Sequence, residues 1–519
     1  MNFPVLSVIV FTPLVAAVLI LLIPADRKNE VRTTALVAAV FALALSVWVY
    51  AQYAINAYTG YQFIEKMTWL SVGNLHIDYH VGVDGMSAPL VLLTGIVMFT
   101  GVLISWGKDD PHGPTGIQDR PREFFAFLFL LAGGVFGVFV SLDLFLLFFF
   151  YEIAVFPMYL LIAIWGWVKT REYAAMKLTL YLFIGSVVAL IGALAMYWTA
   201  GQATGVYTFD MLKISEAQQA GAFNGLVNFF GAQVPFQVVW FLPVFLGFAV
   251  LGGIWPFHNW SPDGHVAAPT AVSMFHAGVL MKLGAFAALR VGIMLLPDGA
   301  KYWAWLIMLF ATVAVVYGAY IAFVQTDMKY MIGFSSVSHM GLVMFGLSTL
   351  NKDGLTGAGL QMFSHGVMTA LFFAVTGMIY DRAHTRQIPE LGGMIKPLPW
   401  AGVGFIIGGL VSMGMPFFSG FVAEFPIFMG VWQVMPIAAI IASISIVITA
   451  AYIMNNIRRV FFGEVPANLE GHISPITALD KVAIATLCLL MVALGLFPWL
   501  MAPMIQSGVN SILTLLGGA

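Results

Sequence analysis

Long apolar segments dominate this sequence of 519 residues and decide what it can fold into. Fourteen such segments are separated by charged residues or by Pro and Gly, and each has about the 20 residues that cross a bilayer as a helix. Only 9% of the residues are charged, against about 25% in soluble domains. Because the backbone must satisfy its own hydrogen bonds in lipid, the sequence predicts an all-α polytopic membrane protein, with residues 1–519 forming a single membrane domain.

The distribution of positive charges orients these segments. The spans are predicted at 5–23, 34–56, 85–106, 124–141, 143–167, 174–197, 237–257, 269–296, 302–324, 331–350, 357–381, 398–429, 434–463 and 479–501. Loops after odd-numbered spans carry 15 Lys and Arg residues, and loops after even-numbered spans carry 4. Since Lys- and Arg-rich loops stay in the cytoplasm, both termini are expected outside it. With a net charge of -2 and no basic run, nucleic acid is not an expected partner.

The loops on the outer side are expected to hold two short structured segments. Residues 75–79 alternate between apolar and polar side chains, which indicates a short β-hairpin. Residues 198–236 are interpreted as an amphipathic segment that lies at the membrane interface. No second, soluble domain is predicted from the sequence.

Two of the spans contain Gly and Pro where a membrane helix should be continuous. The seventh span ends in LGGIWP (251–256), and the twelfth contains GMPFFSG (414–420). Both residue types weaken or remove the backbone hydrogen bonds of a helix, so both helices are expected to be broken within the membrane. Broken helices at corresponding places in two halves are typical of inverted repeats in transporters. The predicted repeats are 124–296 (spans 4–8) and 302–463 (spans 9–13); ordinary kinks at proline are the alternative.

Three charged residues lie deep inside the predicted spans: Glu152 in the fifth, Lys282 in the eighth and Glu424 in the twelfth. A charge at the centre of the bilayer costs about 2.5 to 3.5 kcal/mol on insertion scales, so such residues are candidate functional groups. A buried lysine can be charged or neutral near pH 7, which suits the middle of a proton path. The alternative is a static ion pair that fixes the packing of the helices.

Other titratable residues are weaker candidates. Lys177 sits four residues into the sixth span and could extend its ammonium to the cytoplasmic interface instead of serving a function. His276, His339 and His365 lie in spans 8, 10 and 11, and imidazoles that titrate near neutral pH could form a relay; hydrogen-bonded packing is the alternative. Asp143, at the junction of the fourth and fifth spans, is expected to cap the fifth helix.

The sequence offers no site for a cofactor. It contains neither a phosphate-binding lysine loop nor a dinucleotide glycine motif, and its one cysteine, Cys488, cannot hold haem or an iron–sulfur cluster. His258 and His265 are seven residues apart, but no third metal ligand is evident. No cofactor or metal is therefore expected in this chain.

Four long motifs follow one another along the chain. They are LDLFLLFFFYEIAVFPMYLLIAIWG (142–166), PFHNWSPDGHVAAPTAVSMFHAGVLMKLGAFAALR (256–290), KYMIGFSSVSHMG (329–341) and GMPFFSGFVAEF (414–425). In this order they resemble the antiporter-like subunits of respiratory complex I, most closely the M-type chain, and the resemblance covers nearly the whole sequence. It implies fourteen transmembrane helices with two inverted five-helix repeats, in a proton-translocating subunit of an NADH-quinone oxidoreductase in the bacterial inner membrane.

The resemblance also implies roles for individual residues. Glu152 matches the family's acidic residue of the fifth helix, Lys282 its central lysine, and Glu424 its terminal proton carrier. His339 resembles a histidine that links the two halves, and Lys177 is kept as a further candidate. The expected partners are the L-, N- and K-type membrane chains, the lipid bilayer and protons; NADH, FMN, iron–sulfur clusters and quinone are expected in partner subunits.

One position departs from the family pattern. The family usually has a lysine in the seventh helix that pairs with the acidic residue equivalent to Glu152, and this chain has Leu251 there. Lys177 or His258 could replace the missing partner.

Two other functions stay open from the sequence. One is a subunit of an Mrp-type Na⁺/H⁺ antiporter, although such relatives, like the L and N chains, generally have lysine where this chain has Glu424. The other is a structural membrane-arm subunit that no longer pumps protons, an alternative suggested by Leu251.

Overall fold

The computed structural model describes residues 3–56, 58–73, 75–107 and 115–517; Lys108, one of the basic loop residues counted above, lies outside them. In the first half, helices alternate with two short β-hairpins. These elements are α1 (Val5–Leu22), α2 (Lys28–Ile55), β1 (Gln62–Val72), β2 (Leu75–Val83), α3 (Ser87–Ile104), α4 (Pro121–Val140), α5 (Leu144–Trp165), α6 (Arg171–Thr204), α7 (Met211–Gln219), β3 (Leu226–Phe229), β4 (Ala232–Pro235), α8 (Phe236–Leu251) and α9 (Trp260–Ala267).

The second half is helical in the part of the chain that the structure describes. Its helices are α10 (Thr270–Ile293), α11 (Pro297–Val324), α12 (Met328–Leu347), α13 (Lys352–Ala383), α14 (Pro399–Ser412), α15 (Ser419–Val434), α16 (Pro436–Phe461), α17 (Ala478–Leu496) and α18 (Ala502–Leu515). Twelve helices within the described ranges are long and apolar enough to cross a membrane. The chain is therefore a largely helical membrane protein, as predicted.

Both predicted helix breaks are present. Residues 252–259 separate α8 from α9, and residues 413–418 separate α14 from α15. Each break contains a glycine in the left-handed region, Gly253 with φ +73° and Gly414 with φ +64°. Such a backbone conformation is easily adopted only by glycine, so the Gly-rich sequence accounts for the place at which each helix stops.

Three helices form the core of the molecule. The membrane-crossing stretches of α10 and α13 are entirely buried, and that of α3 is almost entirely so. Two segments of α10, His276–Leu280 and Ala288–Ile293, are wound as π-helix, and Lys282 lies between them. Short π-helical segments are often found at functional sites, which makes the middle of α10 a candidate functional region.

The middle of α10 lies against the broken end of α8 through a glycine. A β-carbon on Gly284 would lie 2.3 Å from the backbone nitrogen of Gly252 and 2.6 Å from the carbonyl oxygen of Phe248. Both of these are backbone atoms, which cannot turn away as a flexible side chain could. The close approach of the two helices therefore depends on glycine at this position.

Gly284→Ala is expected to destabilise the protein by about 1 to 3 kcal/mol, the usual cost of overpacking a well-packed core. The measurement is the thermal stability of the purified protein in detergent. Gly292→Ala on the same helix is the control, because the new β-carbon would meet Phe245 at an ordinary contact distance of 3.4 Å. Equal melting temperatures for the two variants would contradict the prediction.

The outer segments differ in part from the sequence interpretation. The hairpin is confirmed and is longer than predicted, because β2 pairs antiparallel with β1 from Gln62 onward. The amphipathic segment predicted at 198–236 is wrong in extent: α6 continues to Thr204, where Gly205 with φ +74° ends it, and only the short α7 and a second hairpin follow. Helix α18 was not predicted, because its 14 residues are amphipathic and not continuously apolar.

A cluster of charged side chains joins the first hairpin to the starts of α5 and α7. Asp143 caps α5, as predicted, by accepting a hydrogen bond from the backbone of Leu146 at 3.0 Å. Asp210 caps α7 and pairs with Lys66 at 2.5 Å and with His80 at 3.2 Å. Burial alone would raise the pKa of Asp210, but the hydrogen bonds from His80 and Lys66 outweigh burial and hold it well below its usual value.

Asp143 in this cluster has the opposite shift, because burial raises its pKa to about 6. A carboxyl group whose pKa is raised on folding favours the folded state below about pH 4, and this contribution is lost as the pH rises to about 6. Asp143→Asn keeps the capping oxygen without the charge, so it should be more stable than the wild type at pH 8 by up to about 3 kcal/mol and similar at pH 4. Melting temperatures at the two pH values test this; a variant less stable at pH 8 would contradict it.

Candidate functional site

Lys282 begins a row of buried polar side chains in the core. Its side chain is completely buried, and its ammonium nitrogen donates a hydrogen bond to the carbonyl oxygen of Ala277, within the first π-helical segment. The same nitrogen lies 2.8 Å from Nδ1 of His365 on α13. A lysine with one carbonyl and one imidazole as neighbours can exchange a proton with that imidazole.

The row continues through two histidines to a carboxylate. The rings of His365 and His339 are stacked with their centroids 5.3 Å apart, and Nδ1 of His339 lies 3.2 Å from Oε1 of Glu424. The amide of Gln361 donates to the same carboxylate oxygen at 3.2 Å and lies 3.3 Å from His339 Nδ1. We call Lys282, His365, His339 and Glu424 the central row; all four side chains are buried.

The end of the row lies at the second helix break. Glu424 is on the first half of α15, and a β-carbon on Gly414 would lie 2.9 Å from its Oε2. A cavity of about 400 Å³ adjoins Glu424, lined by Met413, Phe421, Phe428, Trp432 and Ile440 among others. The carboxylate therefore borders this space beside the second break.

Two of the predicted site residues do not belong to the central row. Glu152 on α5 accepts a hydrogen bond from the hydroxyl of Ser186 on α6 at 2.8 Å. Lys177 forms an ion pair with Asp263 on α9 at 2.7 Å. Both pairs lie in the first half of the chain, between α5, α6 and α9. The structure thus brings together Lys282, His339 and Glu424, and places Glu152 and Lys177 apart from them.

The suggested replacements for the missing lysine partner are wrong. Lys177 is paired with Asp263, and neither ring nitrogen of His258 has a hydrogen-bond partner within the described structure. Leu251 itself is buried at the end of α8, as an apolar residue should be. In the described part of the chain, the hydrogen-bond partner of Glu152 is therefore a neutral hydroxyl.

The sequence analysis named His365 as one of three histidines that could form a relay but gave only His339 a role in the site. It did not name Gln361. Gln361 precedes His365 by four residues on α13, so both side chains lie on one face of that helix. A polar face of this kind on a completely buried helix could have pointed to both residues.

The central row joins one lysine and one glutamate through two histidines. Each member carries a group that can bind or release a proton. In the described residues, no group of three His, Cys, Asp or Glu side chains could hold a metal ion. The arrangement is suited to moving protons along the core of the protein.

Comparison with known proteins gives the family. The family model described as the transmembrane region of NADH:quinone oxidoreductase and Mrp antiporters matches residues 141–449. The chain belongs to this family. A curated relative, NADH-quinone oxidoreductase subunit M of Rhodobacter capsulatus, is 36% identical over 97% of this chain and 95% of its own length. The family resemblance stated from the sequence motifs is confirmed.

Solved structures show the same fold. A chain of respiratory complex I from Thermus thermophilus superposes with a TM-score of 0.85 at 24% identity and covers 99% of this chain and 100% of its own. A chain of the Mrp complex from Dietzia has a TM-score of 0.81 at 19% identity, with full coverage of both chains. At these identities, the likeness shows that the chain shares the fold of these membrane subunits.

Proposed function

We propose that this chain translocates protons as a membrane-arm subunit of an NADH-quinone oxidoreductase. The observation that carries the proposal is the central row. It links the buried Lys282 to Glu424 through two histidines, whose ring centroids are 5.3 Å apart. Electron transfer in partner subunits would drive the transfer, because this chain carries no redox motif. A change of charge at one member shifts the proton affinity of the next, which allows an electrostatic signal to advance a proton.

The proposed topology has fourteen crossings. The twelve long helices account for twelve of them, and the broken pairs α8–α9 and α14–α15 would each complete one more. The two broken helices are then the fourth helices of two inverted five-helix repeats, 124–296 and 302–463. We place the basic loops in the cytoplasm and both termini outside it, in a bacterial inner membrane. The proposed neighbours are the L-, N- and K-type chains.

In this topology protons enter from the cytoplasm and load Lys282. They pass through His365 and His339 and leave by Glu424 toward the cavity at the second break. Glu152 and Lys177, which lie near the first break, would act on the charge state of the first half and not as members of the row. Because the hydrogen-bond partner of Glu152 is the neutral hydroxyl of Ser186, Glu152 would influence that charge state less than it would as part of an ion pair.

The experiment is proton pumping by the assembled complex in sealed vesicles, driven by NADH and followed with a pH-sensitive dye. Wild type is compared with Glu424→Gln. Loss of pumping in an intact complex supports the proposal, and unchanged pumping leaves the chain a structural subunit of the membrane arm.

A second candidate is an Mrp-type Na⁺/H⁺ antiporter subunit, which the fold similarity to the Dietzia complex favours. Such a complex needs no electron donor and responds to a Na⁺ gradient. Purification of the chain together with flavin and iron–sulfur proteins would decide against it. Proton movement driven by a Na⁺ gradient in vesicles without NADH would decide for it.

A further inference from the structure

A cavity on the side of the basic loops ends at a buried lysine outside the central row. The cavity measures about 290 Å³ and is lined by Trp167, Ala268, Lys329, Asp381 and Arg386 among others. The Lys329 side chain is buried, and its ammonium donates a hydrogen bond to the carbonyl oxygen of Ala268 at 2.7 Å. An ammonium at the wall of a cavity on this side can exchange protons with water that enters it.

The inner wall of this cavity is the junction between α9 and α10. The Lys329 nitrogen lies 3.4 Å from the hydroxyl of Ser273. Ser273 in turn donates a hydrogen bond to the carbonyl oxygen of His265 at 2.9 Å. The Ser273 hydroxyl therefore joins the wall of the cavity to the backbone of His265.

Behind this wall, His265 and His276 form a pair of imidazoles. Their ring centroids are 4.0 Å apart, and both side chains are completely buried. His265 Nε2 lies 3.1 Å from the hydroxyl of Ser261. Within the described structure, His265 Nδ1 and both ring nitrogens of His276 have no hydrogen-bond partner. Buried polar nitrogens are rarely left unpaired without a reason such as a catalytic role or a bound water.

The pair lies close in the chain to residues that contact the two lysines. The carbonyl oxygen of Ala277, the residue after His276, accepts a hydrogen bond from Lys282, and the carbonyl oxygen of Ala268 accepts one from Lys329. Aromatic rings also pack against the pair. The ring of Trp260 stacks on His276 with the centroids 5.1 Å apart, and the ring of Phe373 lies against His265 with the centroids 5.2 Å apart.

We propose that Lys329, His265 and His276 form a loading branch, which takes protons from the cytoplasmic cavity and delivers them to Lys282. An imidazole nitrogen of the pair accepts a proton, and a nitrogen of the pair releases one to the neutral amine of Lys282. The free nitrogens of His276 are the sites at which water would connect the pair to its neighbours. This branch rests on the proposed function, since it supplies the row that the proton path requires.

The test replaces His276 by leucine in the complete complex and measures NADH-driven pumping in sealed vesicles. Pumping is expected to fall about 10²-fold, the lower end of what a positioned proton carrier contributes. Because loading then becomes limiting, the remaining rate should rise with proton concentration as the pH is lowered from 8 to 6, while the wild-type rate changes little. Phe275→Leu, which removes a neighbouring buried ring without a titratable group, should pump with the wild-type pH profile.

Lys329→Met on α12 is the second variant, and it should show the same loss and the same pH dependence as His276→Leu. It decides the question if His276→Leu does not assemble. Wild-type pumping in either assembled variant, or a loss that Phe275→Leu shares with an unchanged pH profile, overturns the branch. Glu424→Gln is measured alongside: if it pumps normally the proposed function fails, and if it alone loses pumping only the branch fails.

Discussion

Replacing Lys282 by methionine is expected to reduce proton pumping at least about 10²-fold while the complex stays assembled. Methionine fills the same narrow space in α10 with a flexible apolar side chain, so packing changes little. The variant lacks the ammonium group that contacts both Ala277 on α10 and His365 on α13. A positioned proton carrier typically contributes 10² to 10⁴ in rate. NADH-driven acidification of sealed vesicles, normalised to the amount of assembled complex, measures the effect.

The structure shows no carboxylate paired with Lys282 among the described residues, so the static ion pair considered from the sequence is wrong for this lysine. Lys282→Arg separates a proton carrier from a fixed structural charge. A guanidinium keeps the positive charge but does not release its proton in proteins. If Lys282 only fixes helix packing through its charge, the arginine variant should pump better than the methionine variant. If Lys282 must lose and regain a proton, both variants should be equally inactive. Substantial pumping by Lys282→Arg would therefore remove Lys282 from the proton path and leave it a structural charge.

The sequence predicted the membrane helices and their breaks because these features are local. An apolar run of about 20 residues, or a Gly–Gly or Gly-x-Pro interruption such as that at Gly414, is readable without knowing what packs against it. The stop of α8 and the stop of α14 both follow from glycines with positive φ. Helix α18 was not predicted, because a short amphipathic helix lacks the continuous apolar run on which the prediction of spans depends.

The partners of the buried charges were harder to predict because they lie far apart in the sequence. His365 reaches Lys282 from 83 residues away, and only the packing of α13 against α10 brings them together. Lys177 was suggested as a replacement partner for Glu152, but it pairs with Asp263 on α9. Sequence reasoning could name the charged residues, since each is costly in lipid, but it could not say which of them meet.

Glu424 lies at the other end of the central row. Glu424→Gln is expected to reduce proton pumping about 10²-fold, as Lys282→Met does. Glutamine has the same shape and can accept the hydrogen bond that Gln361 donates to Glu424 at 3.2 Å. It cannot take a proton from His339, 3.2 Å away, and release it to the cavity at the second break. The loss should therefore appear in pumping and not in the amount of assembled complex.

Two controls fix the meaning of that result. Glu470→Gln makes the same chemical change at an exposed carboxylate and should pump like the wild type. Glu424→Asp keeps a titratable group, so it should retain more pumping than Glu424→Gln even though its shorter side chain weakens the contact with His339. If the glutamine variant pumps as well as the aspartate variant, protonation of residue 424 is not needed, and the central row would be a polar packing feature in a subunit that serves as scaffold. If only the aspartate variant pumps, the row ends in a group that must carry a proton, and the absence of a lysine at Leu251 has not removed the chain from the proton path.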